Sequence, residues 1–171
     1  ALLRQRTERE AAEVAALGAA AGGTFADVIE PLRAWNRDRS AHLNEWLALR
    51  LELWLYALHH DDVRQGLAER ESFARAALAG GIGREFAAHG VEPPADLSFL
   101  ALIAHALEDG LFIQRALTPD EVPPDVVVDA VDLLIRSWIA LAKASGDQAK
   151  DMSDRTGDDE SALPASPPEA E

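Results

Sequence analysis

Cysteine is absent from all 171 residues. That excludes a disulfide framework, a thiolate zinc site and a thiol nucleophile, and it fits a reducing compartment. Lysine is almost absent too: Lys143 and Lys150 are the only two, and the 16 basic residues face 30 acidic ones for a formal net charge of −14. A surface of that sign repels a phosphate backbone, because nucleic-acid binding depends on basic side chains displacing counterions. This chain is therefore not itself a DNA grip. No signal-peptide pattern opens it, and no apolar run reaches the roughly 18 to 20 residues that span a bilayer. The longest candidate, Trp46–Leu58, is broken by Arg50 and Glu52. The expected setting is cytoplasmic.

Other absences narrow the chemistry. There is no phosphate loop, no Gly-x-Ser-x-Gly elbow and no Gly-x-Gly-x-x-Gly after a strand, so no residue is nominated for catalysis. Gly80-Gly-Ile-Gly83 lies inside a helical pattern and suits close packing better than a nucleotide. No paired Glu-x-x-His pattern exists for a di-iron bundle, and neither a cofactor nor a metal is expected. Short alternating β-branched runs are also missing, which leaves an all-α fold.

What is present is helical periodicity. A first helix is expected over about Leu2–Ala20, with a narrow stripe of Leu3, Thr7, Val14 and Leu17. It is under way at Ala1 with no capping residue before it, so the chain is expected to begin inside an element. Gly22 and Gly23 end it, and Thr24 with Asp27 opens a second helix to about Trp35, which Pro31 is placed to kink. The third, about Ala41–His59, is apolar around its circumference apart from Arg50 and Glu52, as befits a central post. Asp61 and Asp62 are placed to cap a long fourth helix to His89, interrupted by Gly80, Gly81 and Gly83. Asp96 is placed to cap a fifth to Leu117, and a sixth covers about Pro124–Ala144. Six helices over residues 1–145 would form one domain. Residues 146–171 hold eight acids against Lys150 and Arg155, a net of −6 that leaves −8 on the body. That acidic, Pro-containing tail is expected to be disordered.

On the fifth helix a single stripe, Ser98, Ala101, His105, Glu108, Asp109, Phe112 and Ala116, holds the polar residues, and the opposite side is apolar except for Gln114. The sixth helix is apolar over more than half its girth. Six helices cannot readily cover that much apolar surface. A homodimer is expected, the last two ordered helices meeting their copies as a four-helix bundle through Leu111, Val127, Val131, Leu134 and Trp138. The alternative is that both helices are buried within one subunit.

The stretch Trp46-Leu-Ala-Leu-Arg-Leu-Glu-Leu-Trp-Leu-Tyr-Ala-Leu-His-His-Asp-Asp-Val-Arg64, with Glu108-Asp-Gly-Leu-Phe-Ile-Gln114, resembles the C-terminal domain of TetR-family transcription regulators. The likeness spans about Ala1–Ala144. It implies a six-helix ligand-sensing and dimerisation body, usually of a repressor. Operator DNA would be read only through an N-terminal helix-turn-helix head that this sequence does not contain. A small-molecule effector among the central helices would shift the first helix and so the two heads of a dimer.

Several residues could line such an effector site. Trp46, Arg50 and Trp54, four apart, put a cation between two indoles on one helix face, suited to an aromatic or anionic effector or to an internal ion pair with a neighbouring helix. His105, Glu108 and Asp109 share a face that could meet a metal or a polar effector, or could simply be a solvated or interface stripe. Phe73 and Phe112 complete the expected ligand-binding set of Trp46, Arg50, Trp54, Phe73, His105, Asp109 and Phe112. The string His59-His-Asp-Asp62 is explained by a helix boundary. The competing view is a helical protein-interaction scaffold without a small ligand, in which the aromatics are core.

Overall fold

A computed structural model describes residues 25–40 and 42–160, and the helix expected over Leu2–Ala20 lies outside them. Five helices and no strand occur among the described residues: α1 (Phe25–Ser40), α2 (Leu43–Leu58), α3 (Asp61–His89), α4 (Leu97–Leu117) and α5 (Val126–Glu160). The all-α expectation holds.

The boundaries follow from local chemistry. Asp96 caps α4 as its sequence position requires, its Oδ1 accepting from the amides of Ser98 at 2.8 Å and Phe99 at 3.3 Å. Two orphan donors of the first turn are thereby satisfied. Gly90 ends α3 at φ 64°, a left-handed conformation that glycine adopts without a Cβ penalty. The cap of α3 is His60 rather than Asp61 or Asp62. It makes no side-chain capping bond, and the two acids stand in the first turn, where negative charge meets the positive end of the helix dipole. His60 instead stacks on Tyr56 at 3.7 Å, with its Nδ1 2.8 Å from the Tyr56 carbonyl.

Neither Pro31 nor the three glycines breaks its helix. Pro31 lies within a continuous α1, and the three glycines leave α3 unbroken for 29 residues. Gly83 has a packing reason: a Cβ there would meet Leu97 Cδ1 at 3.0 Å, so its lack of a side chain lets the start of α4 approach α3. The last helix corrects the sequence reading more substantially. It does not end near Ala144 but continues through Gly146 to Glu160. One glycine costs only about 1 kcal/mol against alanine in a helix interior, and no proline follows until Pro164.

Helices α3 and α4 form the closest pair, with α2 against both and α5 against α4 and α3; α1 packs on α5. Two apolar clusters result. One joins Ile82 and Phe86 of α3, Leu100 and Ala101 of α4, and Ile135 and Ile139 of α5. The other, smaller cluster joins Leu43 of α2, Phe112 of α4 and Val127 of α5, with Trp46, Leu111 and Val126 around it.

The polar stripe of α4 turns inward. Ala101 is fully buried and Phe112 is buried, with His105 and Asp109 largely covered. The outward face is the apolar one, Phe99, Leu102 and Leu117 being about half or more exposed, and Leu133 and Leu141 of α5 are exposed as well. Helix α4 is also long and apolar enough to cross a membrane, which corrects the choice of Trp46–Leu58 as the longest such stretch. Its Glu108 and Asp109 nevertheless sit among the charged side chains described next.

Candidate functional site

Between the two apolar clusters, α2, α3 and α4 bring ionisable side chains together at the centre of the bundle. Arg50 of α2 lies between its own helix neighbours four residues either way. Its guanidinium carbon is 5.0 Å from the Trp46 ring centroid and 4.7 Å from that of Trp54. A cation between two indole faces is attracted by both ring quadrupoles, more strongly where water is excluded. The Arg50 side chain is 10% exposed, and its Nη2 stands 2.7 Å from Asp109 Oδ1 of α4 and 3.7 Å from Glu71 Oε2 of α3.

Glu71 links the helices. Its Oε2 lies 2.7 Å from His105 Nε2 of α4, and its Oε1 is 3.0 Å from Arg70 Nη2. His105 also has Glu108 at 3.9 Å and Asp109 at 4.0 Å. Burial alone would push the Glu71 carboxyl up. The hydrogen bond from His105 and the charges of Arg50 and Arg70 outweigh it and hold the group at about 2. The bond to Glu71 raises His105 above its ordinary value against the opposing effect of burial, with Asp109 and Glu108 adding to the rise. Burial dominates at Asp109 and raises it, despite Arg50 and His105.

The cluster is not saturated. Arg50 Nε and Asp109 Oδ1 are buried with no hydrogen-bond partner among the described residues. Asp109 Oδ1 is nevertheless ion-paired with Arg50 Nη2 at 2.7 Å, so the group left without a partner there is Arg50 Nε. The guanidinium that carries this donor lies between the two indoles. Among the described residues no group of His, Asp and Glu is arranged to hold a metal ion.

Of the seven residues expected to line a ligand site, six converge. Trp46, Arg50, Trp54, His105 and Asp109 form the cluster, and Phe112 meets Trp46 edge-on at 5.5 Å between centroids. Phe73 does not join them: it is 61% exposed on the outside of α3. Glu71 was not anticipated, although it is the group that bridges His105 and Arg50. Its signal was available, because Leu67, Glu71, Ala74, Leu78 and Ile82 recur at spacings of three and four, and a carboxylate interrupts that inward stripe. The expected dimer residues lie mostly within the protomer. Val127 is buried, Leu111 packs on the cluster that holds it, and Val131 and Trp138 pack on the cluster around Phe86. Leu134 is half-buried.

The described residues thus form an all-helical body with aromatic and charged groups converging between α2, α3 and α4. The family model for the C-terminal domain of BetI-type transcriptional repressors matches residues 27–140, and the chain belongs to that family. No curated protein and no solved structure matches it. The match covers α2, α3 and α4 whole and the first part of α5, so every residue of the charged cluster falls inside it. This is a transcription-regulator domain.

Proposed function

We propose that this chain is the effector-sensing and dimerising body of a TetR-type repressor, with its ligand site at the Arg50–Glu71–His105–Asp109 cluster. The observation that carries this is the cluster's incompleteness. Burying charge costs several kcal/mol per ion, and well-packed apolar residues in place of a buried ion pair are often as stable or more so. Four ionisable groups within the bundle, with Arg50 held between two tryptophans and its Nε without a hydrogen-bond partner among the described residues, are therefore poorly explained as a stability device. They suit a small molecule that supplies an acceptor to Arg50 Nε and lays an apolar or aromatic part against Trp46 and Trp54. DNA would be read by the helix-turn-helix head that such regulators carry beyond this domain.

The test is tryptophan fluorescence of the 171-residue chain against a panel of small aromatic and anionic compounds. A ligand of the site alters emission in the native chain and fails to do so in Arg50→Ala, with helical circular dichroism retained. Equal responses in the two proteins would remove the site from the cluster.

The outward faces of α4 and α5 support the dimer. Phe99, Leu102 and Leu117 follow one face of α4, and Leu133 and Leu141 one face of α5, all exposed in the single protomer. Exposed large apolar residues gathered on such faces suit association. We place the contact on these five residues together with Leu134, and leave Leu111, Val127, Val131 and Trp138 to the protomer's own packing. Light scattering at micromolar concentration should read two chains, and Phe99→Glu combined with Leu133→Glu should give one. A native monomer would refute the assignment.

A further inference from the structure

The charged cluster and α1 are joined by an unbroken series of packed side chains that ends in a polar clamp. Arg50 lies on Trp46, Trp46 meets Phe112 edge-on, and Phe112 is buried with Val127 in the first turn of α5. Immediately before that turn, Asp125 accepts a forked contact from Arg37 of α1, with Nε 3.2 Å from each carboxylate oxygen and Nη2 2.6 Å from Oδ2. Arg33 of α1 reaches Asp129 at 2.6 Å. The buried Asn36 Nδ2 donates to the Pro124 carbonyl at 2.8 Å. From the other side Arg115 of α4 approaches the Pro123 carbonyl at 3.4 Å.

We propose, resting on the sensor reading above, that this α1–α5 clamp is the output side of the charged cluster. Displacing Arg50 from between the indoles would let Trp46 reorient. Phe112 packs on it at interior density and must follow, which moves the first turn of α5 and loosens its hold on α1. The clamp suits such a role energetically. Arg37 is 58% exposed, so solvent screens its ion pair and leaves it weak. Asn36 is the tight element, and its partner carbonyl rides on the turn that leads into α5.

Hydrogen–deuterium exchange of the 171-residue chain, without any ligand, tests this. Arg50→Met and Phe112→Leu should each speed exchange of the α1 amides (Phe25–Ser40), on the order of tenfold, relative to the middle of α5. Ile82→Val loosens the other apolar cluster and should leave that ratio unchanged. If Arg50→Met does not fold, Phe112→Leu carries the test alone. Unchanged α1 protection in the folded variants, or equal loosening by Ile82→Val, would overturn the proposal. Because no ligand is used, such a failure leaves the fluorescence test of effector binding standing, and a failure there leaves the exchange result standing.

Discussion

Helices α3 and α4 carry two clusters of opposite character. Around Phe86 they build an apolar cluster with Ile82, Leu100, Ala101, Ile135 and Ile139, although Glu85 is buried beside it. Fifteen residues back along α3, roughly 22 Å at the rise of an α-helix, the same pair holds Glu71 against His105, with Arg50 and Asp109 beside them. The first cluster has nothing to recognise and every reason to hold the fold. The second gives up apolar burial at the centre of the bundle, where burial is worth most. The difference separates what makes the domain stable from what lets it respond, and substitution at each end measures it.

The largest effect is expected at the apolar end. Phe86 is 1% exposed, and truncating a fully buried phenylalanine costs about 3–5 kcal/mol through lost transfer energy and the cavity left behind. Phe86→Ala should show that loss in chemical denaturation. A loss below about 1 kcal/mol would mean that the cluster is not the stabilising core.

Arg50→Met comes next, at about 3 kcal/mol, because it strands Asp109 and leaves Glu71 with fewer compensating charges. The informative variant is the double substitution Arg50→Met with Asp109→Leu, which removes both partners and should recover most of the loss. If the double variant is as unstable as the single one, the cluster is structural and the contrast with the Phe86 end collapses.

The pH dependence is smaller and has a defined sign. Glu71 lies at about 2 in the folded chain against 4.5 in its unperturbed form. The stability it contributes is therefore complete above about 4.5 and disappears as the pH falls towards 2. His105 is raised above 6.5, so its contribution is complete below 6.5 and disappears as the pH rises through the folded value. Asp109 is raised above 3.8 and works against Glu71 on the acid side. Glu71→Gln should flatten the acid limb of a stability profile, reducing the difference between pH 6 and pH 3 by about 1 kcal/mol once solvent screening is allowed for. A His105→Gln variant should flatten the alkaline limb. Profiles identical to that of the parent chain would show that neither bond persists in solution.

Much of this was legible in advance, for physical reasons that differ from element to element. Helix ends with side-chain or glycine chemistry could be read, as at Asp96. The end of α5 could not, since Gly146 stops a helix only when the surroundings do not continue to favour it. Convergence on Arg50 was visible because three residues four apart on one helix must share a face. Glu71 stands out in the sequence as a carboxylate on an apolar stripe, but its partners depend on which face of α3 meets α4. The polar stripe of α4 was recognised as a stripe, but its direction follows from its partners: His105 and Asp109 turn inward because Glu71 and Arg50 await them.

The smallest effect, at Phe73, sharpens the boundary of the charged end. This aromatic lies two residues beyond Glu71, and on a helix that offset turns it about 200° away, onto the outer surface, where it is 61% exposed. Its removal leaves no cavity and touches no member of the cluster, so Phe73→Ala should change stability by no more than about 0.5 kcal/mol. It should also leave ligand-induced tryptophan quenching as in the parent chain. A measurable loss of quenching would mean that a ligand reaches over the outer face of α3, and that the site extends beyond the buried charges.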